Sequence, residues 1–423
     1  MAQRIRRRFL PLLLLLLTAF VAGSVAPLTA AQSDGDELDL DLAPEMIPPE
    51  QGQTTRQVFI RETGHTISGI MLDYWRANGG AELYGNPISE PFAAANGFYS
   101  QAFERGIFQW RPDVAWTEDP AVRLFPAGAD TAQTANRRLR ADGRRAASDR
   151  RVETWRPVSE SDERSADIVN GGGIVDEGSG YAISGDFLDW YTAHEGVFYL
   201  GEPISQAHRA RGVTAQYFEG GVLLEADGEV WLAPLPAEHP WRYGFDTTKA
   251  RQGNIPTYHE RLFARVPNPG GVNVLDLSGR RRIEISISQQ TLWAYQGDDL
   301  VLETYVSTGL DPNTTETGNF HVRIKVEKQD MQGFTDSSGE VVAVGDDGTN
   351  SEEDTIEPGQ ARYEVKDVPH VMYINSDAEA LHGAYWHNNF GYQMSHGCIN
   401  LPLDVAEFLY TWAPLGTAVT VYE

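Results

Sequence analysis

One segment of the sequence occurs twice, and this duplication constrains the fold more than any other feature. The run GHTISG at residues 64–69 returns as GYAISG at residues 180–185, and the similarity continues for some forty residues. Glycine, proline and aromatic positions coincide along it, as at Pro87 and Pro203. A period of this kind means that one supersecondary unit has been duplicated. The chain is therefore expected to contain two copies of one small folding unit.

Each copy predicts a small α+β unit with a short amphipathic helix, a Gly-x-Pro-x-Ser turn and a β-hairpin. We expect repeat unit 1 at residues 58–127, with its helix at 71–78, and repeat unit 2 at residues 178–237, with its helix at 186–194. The aromatic residues of the units are compatible with simple cores, which would make the units structural spacers. The units also resemble the LGFP-like repeats of bacterial surface proteins, and this resemblance implies attachment to the cell wall or its glycans.

The first 57 residues predict export. Arginines from Arg4 to Arg8 precede a leucine-rich run and small residues up to Ala31, which is the layout of a secretory signal peptide at residues 1–31. An uncleaved membrane anchor is the alternative, because the apolar run approaches the shortest length that spans a bilayer. Residues 32–57 are acidic and then proline-rich, and predict an extended linker. We expect localisation to the extracellular space, the cell wall or the periplasm, with a membrane partner only if the signal segment is uncleaved.

The formal net charge of −26 argues against nucleic acid as a partner, because a protein that binds nucleic acid needs a basic surface.

Charge and proline content define the other connecting segments. Residues 128–177 include seven arginines between positions 137 and 151 and predict a solvated linker. Prolines at residues 238–279 oppose a long helix and predict a second linker.

From residue 280 to residue 423 the sequence predicts a mainly β domain. Ile283, Ile285 and Ile287 alternate with polar residues, which is the pattern of a half-buried strand. Residues 330–358 are acidic and glycine-rich and predict a long loop of the kind that covers functional sites. The remaining pattern predicts a hairpin at 292–306, strands at 317–326, 363–374 and 417–422, and a short helix at 403–412.

Cys398 is the only cysteine of the chain and lies sixteen residues after His382. A thiol attacks a carbonyl carbon as the thiolate, and a nearby imidazole can accept its proton. Gly397 lets the backbone approach a substrate closely, and the amides of Gly397 and Cys398 can stabilise an oxyanion. A zinc site would match no common ligand spacing, and we expect His387 to be a polar loop residue. The pattern favours a cysteine-dependent acyl transferase over an inert buried thiol.

His382-Gly383 followed by the run SHGCINL at residues 395–401 closely resembles the signature of the L,D-transpeptidase catalytic domain, also called YkuD. The resemblance covers residues 280–423 and implies a β-sandwich with a short helix, without metal or other cofactor. It implies that Cys398 is the nucleophile, that His382 is the general base in an ion pair with it, and that His396 supports the oxyanion pocket. The Gly383 carbonyl would orient the imidazole of His382. The implied substrate-binding residues are Tyr363, Gly383, Trp386, Ser395, Gly397 and Asn400.

The same resemblance implies a reaction on peptidoglycan stem peptides. Cys398 would attack the carbonyl of the third residue of a tetrapeptide stem, release D-alanine and pass the acyl group to the amine of a second stem. The product would be a crosslink between two diamino acids. One alternative is an L,D-carboxypeptidase or other hydrolase of the same fold, in which water resolves the thioester. Another is a wall-anchoring protein without catalysis, although the intact His382 and Cys398 weigh against it.

Overall fold

The computed structural model describes residues 57–93, 97–111, 119–141, 154–158, 163–210, 212–344 and 359–423. The predicted signal peptide at 1–31 and all but the last residue of the linker at 32–57 lie outside these ranges. Within the described ranges no helix is long and apolar enough to cross a membrane. The architecture is mainly β, as the sequence predicts, and the described residues belong to one compact unit.

The two repeat units have the same order of elements. Unit 1 has β1 (Val58–Ile60), β2 (His65–Ile67), α1 (Gly69–Ala77), α2 (Gly80–Leu83), and an antiparallel sheet of β3 (Phe92–Ala93), β4 (Tyr99–Phe103), β5 (Gly106–Trp110) and β6 (Val122–Leu124). The helices α3 (Ala127–Ala141) and α4 (Glu163–Asn170) follow. Unit 2 has β7 (Ile174–Val175), β8 (Ala182–Ile183), α5 (Asp186–Ala193), α6 (Gly196–Tyr199), and a sheet of β9 (His208–Ala210), β10 (Val213–Tyr217), β11 (Val222–Ala226) and β12 (Glu229–Leu232), before α7 (Glu238–Arg242).

Matching residues of the two units make matching hydrogen bonds. In each unit a buried glutamine on the second strand of the sheet donates its amide N–H groups to two backbone carbonyl oxygens, one in the first hairpin and one in the Gly-x-Pro-x-Ser turn. Because buried polar groups need partners, this side chain fixes the sheet to the segment before it. The donor is Gln101 with Thr66 and Ser89 in unit 1, at 2.7 and 2.9 Å, and Gln216 with Ala182 and Ser205 in unit 2, at 2.7 and 3.0 Å.

The chain that leaves each unit binds to the other unit. After unit 1, the N–H of Gly128 donates to the carbonyl of Glu219 in unit 2 at 2.9 Å. After the last strand of unit 2, the N–H of Leu235 donates to the carbonyl of Glu104 in unit 1 at 2.7 Å. Glu104 and Glu219 occupy matching positions of the repeat. The two units therefore form a pseudosymmetric pair with exchanged exit segments.

A second matched pair of hydrogen bonds extends this exchange. Val158 donates its N–H to the carbonyl of Gly180 at 2.7 Å, and Ala250 donates to the carbonyl of Gly64, the matching glycine, at 2.9 Å. Both donors lie in segments that the sequence suggests as linkers, 128–177 and 238–279. The domain boundaries stay predictions, but the described parts of these two segments hold the repeat units together.

From residue 280 the chain forms a β-sandwich of two five-stranded sheets with one short helix, as predicted. Its elements are β13 (Arg281–Ser286), β14 (Thr291–Gln296), β15 (Asp299–Tyr305), β16 (Gly318–His321), β17 (Ile324–Thr335), β18 (Val341–Val344), β19 (Ala361–Tyr373), β20 (Ala380–Gly383), β21 (Ile399–Leu401), α8 (Leu403–Trp412) and β22 (Ala418–Tyr422). One sheet has the order β15-β14-β13-β22-β16, and the other has the order β18-β17-β19-β20-β21. Helix α8 packs against β19 and β20.

Two predictions in the sandwich are wrong in detail. The strand predicted at 317–326 is interrupted at Val322, because β16 pairs with β22 in one sheet and β17 pairs with β19 in the other. The loop predicted at 330–358 begins as strand, since β17 continues to Thr335 and pairs with both β18 and β19. Backbone hydrogen bonds between strands stabilise this segment, although its side chains do not alternate between apolar and polar. Residues 345–358 lie outside the described ranges, so the covering role of this loop stays a prediction.

A buried ion cluster joins the repeat pair to the sandwich. Glu260 accepts hydrogen bonds from Arg281 Nη2 at 2.8 Å and from Arg76 Nε at 3.3 Å, and both guanidinium groups are buried. Burial alone would raise the pKa of this carboxyl, but attraction to Arg281 and Arg76 lowers it to about 2. Arg281 also donates to the carbonyl of Arg76 at 2.8 Å. The first strand of the sandwich is therefore tied to helix α1 through a residue of the predicted linker.

The neighbouring residue Arg280 makes the corresponding contacts with unit 2. Its Nη1 donates to the carbonyl of Ala193 at 3.0 Å, at the end of α5, and its guanidinium pairs with Glu195. Its Nε donates to Asn78 Oδ1 at 3.2 Å, just after α1. Cations near helix C-termini interact favourably with the helix dipole. Two adjacent arginines thus contact the C-terminal ends of the two matching helices.

Replacing Glu260 should destabilise the protein strongly. In Glu260→Gln the buried guanidinium of Arg281 loses its counter-ion and that of Arg76 keeps only Asp73, 3.9 Å away, which costs about 3–5 kcal/mol. Because the pKa of Glu260 is lowered from 4.5 to about 2, this stabilisation is fully present above pH 4.5 and is lost as the pH falls towards 2. Urea unfolding of both proteins at neutral and acidic pH measures the difference.

Glu284→Gln is the matched control, because Glu284 pairs with Arg282 in a partly exposed bridge. Exposed pairs contribute about 1 kcal/mol or less. The role of the buried cluster would be contradicted if the two variants lost equal free energies of unfolding. It would also be contradicted if the free energy of unfolding lost in Glu260→Gln did not decrease at acidic pH.

Candidate active site

Two short parallel strands carry the residues that the sequence singles out. In the β20–β21 pair His382 lies opposite Asn400, and Leu381 lies opposite Ile399. Residues two positions apart on a strand point to the same face. Cys398 directly precedes β21, so its position falls on the face that holds His382 and Asn400. The sheet therefore brings together residues that are sixteen or more positions apart in the sequence.

The imidazole of His382 is buried and oriented by the backbone. Its Nδ1 donates to the carbonyl oxygen of Gly383 at 3.3 Å, as the resemblance implies, which leaves Nε2 as a proton acceptor. The indole of Trp386 lies beside it, with ring centroids 5.8 Å apart. Burial lowers the pKa of His382 to about 4, and the charge of His387 adds to this effect. His382 is therefore neutral near pH 7.

Cys398 is also neutral in this arrangement. The residue is half-buried, its Sγ lies 4.0 Å from the carbonyl oxygen of Ala378, and the N–H of Ala380 donates to the sulfur. Desolvation raises the pKa of the thiol to about 11; the Ala380 N–H opposes the shift, and the charge of Glu379 adds to it. Among the described residues no hydrogen bond joins Cys398 to His382. The lowered pKa of His382 and the raised pKa of Cys398 favour a neutral thiol beside a neutral imidazole, and the ion pair that the resemblance implies stays a prediction.

The loop before Cys398 is held in place by hydroxyl groups. Ser395 Oγ donates to the carbonyl of Cys398 and accepts the N–H of Gly397 at 3.3 Å. Thr315 Oγ1 donates to the carbonyl of Gly397 at 2.6 Å. Gly397 has a φ of 117°, which an L side chain rarely adopts. Because the Gly397 N–H is engaged with Ser395, the oxyanion role expected for it requires this bond to open.

His396 and Tyr363 lie together at the outer edge of the site. Their rings stack with centroids 4.9 Å apart and an angle of 7° between the planes. His396 is exposed, whereas Tyr363 is half-buried, and burial with the charge of Cys398 raises the pKa of Tyr363 to about 12. Tyr363 lies on β19 opposite Gly333 of β17, and its role in substrate binding stays a prediction. The support that His396 is expected to give the oxyanion pocket stays a prediction.

His387 contacts the site through Asn400, which its sequence context as a polar loop residue does not predict. Its Nε2 lies 2.9 Å from the side-chain amide of Asn400. Ser307 fixes the same asparagine from the other side, because its N–H donates to the Asn400 carbonyl at 3.0 Å. Nothing in the local sequence indicates these partners, which only the strand pairing brings together. Across the described ranges, no group of three or more His, Cys, Asp or Glu side chains is arranged to hold a metal ion.

Residues 280–421 match the family model of the L,D-transpeptidase catalytic domain, YkuD. No curated protein matches the chain. Similar solved structures include an Enterococcus faecium L,D-transpeptidase mutant (26% identity, 34% of this chain and 49% of that chain, TM-score 0.26). Another is L,D-transpeptidase 3 from Mycobacterium tuberculosis (23% identity, 35% of this chain and 65% of that chain, TM-score 0.24). A third is an L,D-transpeptidase from Mycobacterium smegmatis (14% identity, 51% of this chain and 80% of that chain, TM-score 0.26). The chain thus spans about half of the first structure and 65% of the second.

The His382 imidazole should stay uncharged over the physiological pH range. With its pKa lowered to about 4, we expect nuclear magnetic resonance spectra of the imidazole nitrogens to show a neutral ring between about pH 5 and 8. A His382→Gln variant identifies the signal by its disappearance. A His382 ring that is charged at pH 7, and loses the charge in Cys398→Ser, would instead establish a resting ion pair.

Proposed function

We propose that the protein is an exported peptidoglycan L,D-transpeptidase. The match of residues 280–421 to the L,D-transpeptidase catalytic domain supports the reaction class. The observation that carries the proposal is that the only cysteine of the chain stands on the same face of the β20–β21 ladder as His382. A carbonyl group above this face meets a nucleophile and a base together.

In the first half of the reaction the thiol of Cys398 attacks the carbonyl carbon of the third residue of a tetrapeptide stem. Its proton passes to Nε2 of His382, and a carbon–sulfur bond forms. The tetrahedral intermediate carries a negative oxygen, for which the backbone N–H of Cys398 is the proposed donor. When the intermediate collapses, the amine of D-alanine leaves with the proton from His382, and a thioester remains.

In the second half an amine of another stem attacks the thioester carbon. His382 takes a proton from this amine, the carbon–nitrogen bond forms, and the carbon–sulfur bond breaks. The departing sulfur takes the proton back from His382. The energy of the cleaved peptide bond is retained in the thioester and then in the new amide, so no external energy source is needed.

Because Cys398 and His382 are both neutral before substrate binds, His382 acts as a base while the thiol attacks the carbonyl carbon. The pKa values of about 11 for Cys398 and about 4 for His382 oppose charge separation in the empty site. Proton transfer therefore has to accompany formation of the carbon–sulfur bond, while the developing oxyanion is stabilised by N–H donors. This order keeps the thiol unreactive until a carbonyl group is in place.

We further propose that the protein is exported and that its repeat units bind the cell wall. The predicted signal peptide would export the protein, so that the sandwich meets peptidoglycan outside the cytoplasm. The paired repeat units would hold wall glycans, while their attachment through Arg280 and Arg281 would keep the sandwich near its substrate. The competing role for the repeats is that of a rigid structural support.

Tetrapeptide muropeptides test the reaction directly. We expect mass spectrometry to detect crosslinked dimers that have lost one D-alanine. Cys398→Ala should abolish them, and His382→Gln should reduce the rate by about 10²–10⁴-fold because the general base is lost. Tripeptide monomers without dimers would identify the hydrolase instead, and product formation by Cys398→Ala would refute the nucleophile assignment.

Sedimentation with insoluble peptidoglycan tests the repeats. The chain without its predicted signal peptide should carry Cys398→Ala, so that capture through an acyl-enzyme is impossible. We expect it to sediment with the polymer, whereas the sandwich alone, residues 280–423, should remain in solution if it folds. Equal sedimentation of the two proteins would exclude binding through the repeats, and no sedimentation of the longer chain would favour the structural support.

A further inference from the structure

Glu379 lies behind the loop that carries Cys398 and is not part of the sequence motif. It ends the tight turn between β19 and β20, where its N–H donates to Asn375 Oδ1 at 3.0 Å and Ile374 donates to its carbonyl at 3.0 Å. Within this turn Ala378 has a φ of 62°, an uncommon value for a residue with a side chain. The turn is thus tightly defined, and it fixes the position of the Glu379 carboxylate.

The carboxylate binds a second segment of the chain. Both of its oxygens accept the backbone N–H of Glu316, at 3.0 and 3.2 Å, and Oε2 also accepts from Asn375 Nδ2 at 2.8 Å. The residue before Glu316, Thr315, donates its hydroxyl to the carbonyl of Gly397 at 2.6 Å. Glu379 therefore holds the strap, residues 315–316, which in turn holds the loop of Cys398.

The carboxylate also contacts the Cys398 loop directly. A Cβ atom placed on Gly397 would lie 3.2 Å from Glu379 Oε1, so the carboxylate stands against the Cα of the residue before Cys398. Desolvation raises the pKa of Cys398, and the charge of the Glu379 carboxylate raises it further. The carboxylate and a thiolate at Cys398 therefore disfavour each other.

The surroundings of Glu379 supply no countercharge among the described residues. The titratable groups whose charges act on it are Glu316 on the strap and Asp377 on its own turn, and its own charge acts on Cys398. Burial raises its pKa to about 7, the hydrogen bonds from Glu316 and Asn375 oppose the shift, and the charges of Glu316 and Asp377 add to it. The carboxyl group thus changes charge in the pH range where the protein would work.

We propose that Glu379 is a positioning residue of the active site: its carboxylate clamps the strap to the Cys398 loop, and its negative charge opposes formation of the thiolate. The consequence for turnover depends on the proposed function, whereas the effect on the sulfur does not. When Glu379 takes up a proton, the sulfur ionises more readily. When Glu379 is ionised, the clamp is complete and the free thiol is held in its neutral form.

Alkylation of Cys398 tests this assignment without any peptidoglycan. The chain has a single cysteine, so intact mass after iodoacetamide treatment reports only this thiol. In Glu379→Gln the charge is lost while an amide oxygen can still accept the N–H of Glu316. We expect alkylation at mildly alkaline pH to be roughly three- to tenfold faster than in the wild type, since one pKa unit corresponds to about tenfold. Asp377→Asn, which removes an exposed charge from the same turn, should change the rate much less.

The pH dependence of the alkylation rate distinguishes an electrostatic effect of Glu379 on Cys398 from simple support of the fold. In the wild type the logarithm of the rate should rise less steeply with pH around pH 7, where Glu379 ionises. Glu379→Gln should show a constant slope. A rate in Glu379→Gln equal to the wild type, or an equal acceleration in Asp377→Asn, overturns the proposal. If Glu379→Gln does not fold, the wild-type profile decides alone, and a constant slope through pH 7 overturns the proposal.

Turnover on muropeptides is a separate outcome. A protein that forms no product but shows the expected alkylation shift contradicts the proposed function and leaves the Glu379 assignment intact. A protein that forms crosslinked dimers without the shift contradicts only the Glu379 assignment.

Discussion

The buried cluster of Glu260, Arg76 and Arg281 is the interaction on which the arrangement of the whole molecule depends. Three charges withdrawn from water are tolerated only when they are paired and hydrogen-bonded, so the cluster permits one relative position of its three segments. One hydrophobic core cluster extends across the same region, from Val58 in unit 1 to Val421 in the sandwich. Apolar contacts hold the repeat units and the sandwich together, and the ion cluster with the adjacent Arg280 fixes their relative orientation.

Desolvation determines the chemistry of the candidate site in the same way. The enclosure that brings Cys398 and His382 to one face of the sheet also moves the pKa of each group away from the charged form. A free thiol in this environment is protected from oxidation and from unwanted electrophiles, which react with the thiolate. In the proposed reaction the substrate itself has to supply the conditions under which the sulfur becomes a nucleophile.

The sequence predicts local structure and the chemical motif better than it predicts long-range partners. Helix α8 begins and ends where its apolar pattern predicts, and β13 follows the alternation of its isoleucines. The motif also leads to Cys398 and His382. Glu260 could not be found in this way, because it lies in a segment that reads as a linker and its partner Arg76 is 184 residues away. Glu379 and His387 lack a local pattern for a similar reason, since Glu316 and Asn400, the partners that connect them to the site, come from other segments of the chain.

The exchanged exit segments have a consequence for how the chain can fold. Unit 1 obtains the donor for the Glu104 carbonyl from Leu235, which follows the last strand of unit 2, and the donor for the Gly64 carbonyl from Ala250. Neither unit is complete without the other, so a single copy would have to find its missing contacts on a second molecule, as in a domain-swapped dimer. Covalent linkage converts that encounter between molecules into one within a chain, with a high effective concentration. The duplication thus makes assembly of the pair independent of how much protein the cell contains.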